Sequence, residues 1–291
     1  MTRTEPVAVV IPTYGRGTAV LRVLESVEAC DPPPQEIWVH VDVGDGFLER
    51  RIRSQFPEVK IITSSYRRGP GGGRNECLQL CGTPYAVSLD DDSYPVDKDF
   101  FSQVTRLFGA HSDCAIFGAQ IWHRYEAEKP KAQAVTPSAN YIGCGHAIRL
   151  AAYRSVRGYL ARPFSYGMEE NDLSLQLFAA GWKIFEARQL RVFHDTDLKH
   201  HDRPEITAWT ITNIALCAFL HYPVVGWPWG VAQVMNLVVC SIRKRRLRGI
   251  VKGVIQIPFE CWKHRHLRKP LSWHEMRAFL LFRRTGVLKV T

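Results

Sequence analysis

Between Val7 and Leu89 the chain alternates short apolar, β-branched runs with stretches of helical spacing, and this alternation restricts the fold more than any other feature. Val7 to Ile11 is continuously apolar and ends at Pro12-Thr13; Val20, Leu24 and Val27 then recur at helical spacing within Thr18 to Ala29. The pattern predicts a strand over Glu36 to Val41, a helix over Phe47 to Gln55 and a strand over Val59 to Thr63. A helix opening over Gly73 to Leu80 and a strand over Tyr85 to Leu89 complete it. Strands that alternate with helices build a mostly parallel sheet covered on both faces. Ligands of such sheets gather beyond the carboxyl ends of the strands. That rule singles out Thr13, Asp42 and Asp90 to Asp92.

Further along, the spacing predicts a helix over Asp99 to Phe108, a strand over Cys114 to Ile121, a polar excursion from His123 to Ala139, and a helix over Asp172 to Ala180 closed by Gly181. The character changes at Ile206. Ile206 to Leu220 and Val224 to Ile242 are largely apolar but are interrupted by His221-Tyr222-Pro223 and Pro228. The first is too short to cross a bilayer and the second is borderline at about 20 residues. Helices that lie on or dip into a membrane surface are the expectation for this region. The chain therefore reads as an α/β domain over 1–204 and an amphipathic, basic helical region over 205–291.

Charge supports that division. The net charge is +10, yet residues 241–291 hold 14 Lys/Arg against Glu260 and Glu275, so residues 1–240 are slightly acidic. A cationic tail with Trp, Phe and Leu between its charges suits an anionic lipid surface or a nucleic acid. It carries no recognisable nucleic-acid-binding motif, which makes the membrane surface the expected partner. The eight cysteines form no CxxC clasp. Met1 to Glu5 is polar and Val7 to Ile11 is too short for a signal core, so the expected compartment is the reducing cytoplasm, at the inner face of the membrane.

Three carboxylates, Asp90-Asp91-Asp92, stand at the exit of a buried strand. Each resists ionisation beside the others, and a hard divalent cation relieves the repulsion while bridging to phosphates. A solvated acidic turn before Pro95 is the alternative. The run Gly69-Pro70-Gly71-Gly72-Gly73-Arg74-Asn75 follows another strand and opens a helix, where backbone amides and Arg74 can meet an anion. Glycines in such a turn also serve geometry alone.

Four strings occur in the order found in family 2 glycosyltransferases, and from about residue 6 to 200 the chain resembles them. They are Val10-Ile11-Pro12-Thr13-Tyr14-Gly15-Arg16, Gly72-Gly73-Arg74-Asn75, Leu89-Asp90-Asp91-Asp92, and the stretch from Gly167-Met168-Glu169-Glu170 to Leu175. The resemblance implies a GT-A fold, a nucleotide-diphosphate sugar donor, Mn2+ or Mg2+ as cofactor, and inversion at the anomeric carbon. It places the donor against Pro12, Thr13, Tyr14, Arg16, Asp42, Arg74, Asp90 and Asp91. It gives the metal to Asp92 and His194, with His200 and His201 as further histidines nearby in sequence. Where the family usually has a pair of acids at the second strand end, this chain has Val43-Gly44-Asp45 after Asp42.

An inverting transfer needs a carboxylate opposite the leaving nucleotide to accept the proton of the attacking hydroxyl. The family resemblance assigns that role to Glu170, where Asp is the commoner residue; Glu169 and Asp172 are the alternatives. Gly145 and His146, in Gly143-Cys144-Gly145-His146-Ala147, resemble the loop beneath the acceptor. The expected acceptor is a hydroxyl of a glycan or a polyprenyl-linked glycan. Two rival readings remain at this level: a nucleotidyltransferase with a similar metal-carboxylate site, and a non-catalytic nucleic-acid binder using the basic tail.

Overall fold

In a computed structural model, which describes residues 4–163, 168–196 and 203–286, Val7 to Ile11 are fully buried, as an inner strand of a covered sheet requires. The chain divides into two compact units, Met1–Pro163 with Ala180–Asp197, and Phe164–Ala179 with Leu198–Thr291. The first unit is built on β1 (Glu5–Thr13), β2 (Pro34–Val41), β3 (Lys60–Thr63), β4 (Tyr85–Leu89), β5 (Ser93–Pro95), β6 (Cys114–His123), β7 (Val135–Ser138), β8 (Gly145–Arg149) and β9 (Lys183–His194). Its helices are α1 (Ala19–Glu28), α2 (Gly46–Gln55), α3 (Gly69–Leu80), α4 (Phe100–Ala110) and α5 (Leu150–Arg154). The second unit holds α6 (Glu169–Ala179), α7 (Pro204–His221), α8 (Trp227–Arg243), α9 (Ile250–Lys263) and α10 (Trp273–Thr285).

All nine strands join one sheet in the order β3-β2-β1-β4-β8-β6-β9-β5, with β7 also on β9. The alternating part of the sequence forms its parallel half, β3-β2-β1-β4. Thr13 pairs with Val41 and Val41 with Thr63, so the strand ends align and Thr13, Asp42 and Ser64 emerge on one edge. Beyond β4 the sheet is mixed: β8 runs antiparallel to both β4 and β6, while β6 and β9 are parallel. Val20, Leu21, Val23, Leu24 and Val27 form the buried stripe of α1. The Asp45 carboxylate caps α2, accepting from the N–H groups of Phe47 at 3.1 Å and Leu48 at 3.0 Å.

Three local expectations are corrected. The glycine run opens a helix as expected, but α3 begins at Gly69 rather than Gly73 and takes in the whole run. Its glycines permit close approach: a Cβ on Gly73 would lie 2.7 Å from His40 Nδ1 on β2 and 3.1 Å from Pro12 on β1. Gly69 has φ of +71° and sits against the carbonyl of Arg162. The polar excursion contains β7, held by antiparallel pairing with β9 rather than by a hydrophobic pattern of its own. Of Gly143 to Ala147, read as an acceptor loop, Gly145 to Ala147 belong to β8 inside the sheet.

In the second unit α7 is the central helix, with α8 and α9 packed on it. The outward faces of both are apolar: Trp229, Val231, Met235 and Ile242 on α8, and Val251, Ile255, Phe259 and Trp262 on α9, are all exposed. Between them runs Arg243-Lys244-Arg245-Arg246-Leu247-Arg248. Among the described residues one helical stretch, Val224–Arg243, is long and apolar enough to cross a membrane, at 20 residues and with mean hydropathy 1.3 over 18 of them.

Candidate active site

The three carboxylates are set by a tight turn at the end of β4. Asp90 N–H donates to Ser93 Oγ at 2.7 Å, and Ser93 N–H returns to Asp90 O at 3.1 Å. Ser93 Oγ also donates to the carbonyl of Cys144, which ties the turn to the start of β8. The carboxylates then face different sets of partners, with Arg16 shared by Asp91 and Asp92.

Asp90 pairs with Arg74, whose guanidinium is buried under the site and also donates to Ser88 Oγ at 2.8 Å and Gly143 O at 3.3 Å. Asp91 accepts from Thr13 Oγ1 at 2.8 Å and lies 3.3 Å from Arg16 Nη1. Burial pushes the Asp91 carboxyl up to about 6, against the downward pull of Arg16. Asp92 contacts Arg16 and lies 3.1 Å from His194 Nε2. Burial alone would raise Asp92, but the hydrogen bond with His194 and the Arg16 charge prevail and hold it below the usual carboxylate range. His194 shows the mirror effect: burial lowers it, while the Asp92 bond and the charges of Asp90 and Asp92 carry it above the usual imidazole range.

The donor set fits a divalent cation. Asp90, Cys144 and His194 bring one ligand atom each to within 4.8 Å of one another, and Asp92 is in contact with the same imidazole. Carboxylate oxygens with one imidazole suit Mn2+ or Mg2+, and the thiol is the least suited of these donors. Arg16 supplies the positive charge that the crowded Asp91 and Asp92 require.

The other residues singled out by sequence have distinct places. Asp42 accepts from Ser64 Oγ at 2.8 Å, Arg68 N–H at 2.8 Å and Gly69 N–H at 2.9 Å, so its carboxylate anchors the start of α3. Of the amides expected to meet an anionic ligand, that of Gly69 is directed to this side chain, as is that of Arg68 just before the run. Tyr14 is exposed at the edge, with the Arg67 guanidinium 4.2 Å from its ring centre. Pro12 is buried at the end of β1 beside Gly73. Gly145 pairs with Leu89 in the sheet. His146 is buried, 2.7 Å from Tyr159 Oη, and burial holds its imidazole well below the usual range.

Glu169 and Glu170 lie in the first turn of α6, where carboxylates meet the positive end of the helix dipole. Asp172, two residues on, is fully buried, with Oδ1 2.6 Å from His221 Nε2 on α7 and Oδ2 accepting from Gln176 at 2.9 Å. Gly167, His200 and His201 fall outside the described residues.

Sequence reasoning did not find Arg22, Arg124 or Asp195. Each is a single charged residue with no motif around it; Arg124 and Asp195 are marked only by following a strand end, at β6 and β9. With Arg16, Tyr94 and Asp92 they wall a cleft of about 430 Å³.

Solved structures share the fold at low identity. A mannosyltransferase from Pyrobaculum calidifontis, PcManGT, in complex with GDP-Man and Mn2+, aligns over 98% of this chain and 88% of its own, with 12% identity and a TM-score of 0.59. GalNAc-T7 with UDP, GalNAc and Mn2+ aligns over 90% of this chain and 58% of its own, at 13% identity and a TM-score of 0.61. Residues 1–349 of S. aureus TarS in complex with UDP-GlcNAc align over 91% and 92%, at 12% identity and a TM-score of 0.55. No curated protein matches. The family model for glycosyl transferase family 2 matches residues 8–168, more than half of the chain and the whole of the carboxylate turn, and the protein belongs to that family of sugar-transferring enzymes.

Proposed function

We propose that the protein moves a sugar from a nucleotide-diphosphate donor to a hydroxyl of a glycan or polyprenyl-linked glycan, with inversion and with Mn2+ or Mg2+ as cofactor. The observation that carries this reading is the meeting of Asp92 and His194, 3.1 Å apart and 102 residues apart in sequence, beside Asp90 and Asp91. A divalent cation held there, when bound, offsets the charge that develops on the departing diphosphate. Arg74 fixes Asp90, and Thr13 with Arg16 fixes Asp91, so the two carboxylates are oriented before a donor arrives. Glu170 takes the proton of the acceptor hydroxyl as its oxygen bonds to the anomeric carbon and the carbon–phosphate oxygen bond breaks. The buried contacts of Asp172 with His221 and Gln176 support Glu170 over it for that role.

A melting screen of nucleotide sugars with and without Mn2+ tests the donor and the metal together, since a ligand selective for the native state raises the melting point. The expected result is a donor-specific rise that chelation removes; a rise insensitive to chelator contradicts the metal assignment. With that donor, Glu170→Gln is expected to keep binding and lose turnover, and unchanged turnover would release Glu170 from its role.

The exposed apolar faces of α8 and α9, with the basic run between them, support docking on an anionic membrane surface and hence an acceptor carried on lipid. Flotation with anionic liposomes should be lost in Val231→Glu/Ile255→Glu, whose positions are exposed; equal flotation of the variant and the unaltered protein would refute docking through these faces.

A further inference from the structure

The cleft beside Asp92 is lined by three arginines, Arg16, Arg22 and Arg124, against two carboxylates, Asp92 and Asp195. Arg22 reaches it from the exposed face of α1 and Arg124 from the residue after β6. Both guanidiniums converge on one residue: Asp195 Oδ2 accepts from Arg22 Nη1 at 2.9 Å, Oδ1 accepts from Arg124 Nε at 2.8 Å with Nη2 2.7 Å away, and the Asp195 carbonyl accepts from Arg124 Nη2 at 3.4 Å. A strap between α1 and the end of β9 needs a single arginine. Two on one carboxylate leave a net positive charge, and a guanidinium offers five N–H donors, so several on each remain for another acceptor.

The pair is also held in place. Arg22 lies with its guanidinium carbon 5.0 Å from the centre of the Tyr94 ring, which restrains its plane. Asp195 N–H donates to Asp92 O at 2.8 Å, joining the clamp to the carboxylate turn. The two arginine side chains are 61% and 47% exposed, so a ligand in the cleft can reach both. Two planar forks oriented by a shared carboxylate match the oxygens of a phosphate better than those of a neutral sugar.

We propose that Arg22 and Arg124 form a phosphate subsite beside the metal carboxylates, with Asp195 as the residue that positions both. The site takes a phosphate group of the substrate, and it rests on the glycosyl-transfer reading only for which phosphate fills it: that of the donor or that of a phosphate-bearing acceptor.

The test titrates inorganic pyrophosphate into the full chain, without metal, by calorimetry. Arg22→Gln and Arg124→Gln keep reach and polarity but lose the charge, and Arg51→Gln on α2 is the control. Each of the first two is expected to weaken binding about tenfold or more, as the loss of a charge-assisted contact predicts, and the control is expected to bind as the unaltered protein does. No binding to the unaltered protein, or equal binding by all variants, overturns the proposal; melting curves establish that each variant is folded. A second arm measures UDP, GDP and dTDP affinity with Mn2+. If both variants weaken the nucleotide about tenfold as well, the phosphate is the donor's; if nucleotide affinity holds while pyrophosphate binding falls, it is the acceptor's. Failure of every nucleotide to bind the unaltered protein would count against glycosyl transfer and leave an arginine-dependent pyrophosphate site standing.

Discussion

Replacing His221 by leucine probes the helix that carries Glu170 without touching that residue. Asp172 on α6 is fully buried, and its Oδ1 lies 2.6 Å from His221 Nε2, itself almost fully buried at the end of α7. Leucine has nearly the volume of histidine, so the change removes a polar partner and leaves the space filled. The Asp172 carboxylate keeps Gln176 at 2.9 Å but loses its shorter contact in a place that water does not reach. Breaking a buried pair from one side costs about 3–5 kcal/mol, and the retained Gln176 bond puts the expected loss at the lower end, about 3 kcal/mol. For a protein of this size that corresponds to a fall of about 6–12 °C in melting temperature. His221→Gln returns an N–H donor at a similar reach and should lose about 1 kcal/mol. The double variant Asp172→Leu/His221→Leu should lose less than the sum of the two single changes, because neither polar group is then left without the other. Urea unfolding followed by circular dichroism reads the unaltered protein, the three single variants His221→Leu, His221→Gln and Asp172→Leu, and the double variant. A His221→Leu protein within about 0.5 kcal/mol of the unaltered one, a change ordinary for surface substitutions, would refute the view that this pair anchors α6 to α7.

Asp42→Ala removes three hydrogen bonds, two of them from the amides of Arg68, just before α3, and Gly69, its first residue, and should cost about 2–3 kcal/mol in urea unfolding. Two glycine-to-alanine changes should move stability in opposite directions. At Gly73 the new Cβ meets His40 and Pro12 and should cost about 1–3 kcal/mol, whereas at Gly109 in α4 it meets nothing within 4 Å and should gain about 0.5–1 kcal/mol. Burial raises the Cys30 and Cys81 thiols to about 12, so both stay protonated at pH 8 and gain reactivity only as pH climbs toward that value. Iodoacetamide at pH 8 should therefore label the more accessible Cys240 and Cys261 in the native protein well before Cys30 or Cys81, as peptide mapping would show.

The alternation from Val7 to Leu89 specifies its own elements because each depends on local periodicity. A covered inner strand is apolar throughout, and a helix on a sheet is apolar on one stripe, so β1 to β4 and α1 and α2 follow from the residues alone. The placement of Asp90 to Asp92 at a strand exit is legible for the same reason. The strands β7 and β8 escape such reading. The first owes its conformation to pairing with β9, and the second, Gly-His-Ala-Ile-Arg, is polar at both ends and becomes a strand because β4 and β6 flank it. Glycines at 71–73 have poor helix propensity in isolation, yet they are helical here, and what local pattern does not reveal is that β1 and β2 lie too near for any side chain at Gly73.

Residue type alone thus determined which groups could do the chemistry: a carboxylate run, a late histidine, an acidic helix start. Which of them meet was a matter of tertiary structure. Contacts between residues such as Asp92 and His194, Asp172 and His221, or Arg22, Arg124 and Asp195 join segments 49 to 173 positions apart in sequence, and no local pattern encodes a separation of that kind. They arise because strand order in the sheet and helix packing in the second unit bring distant ends of the chain within a few ångströms, where charge and burial then act on them together.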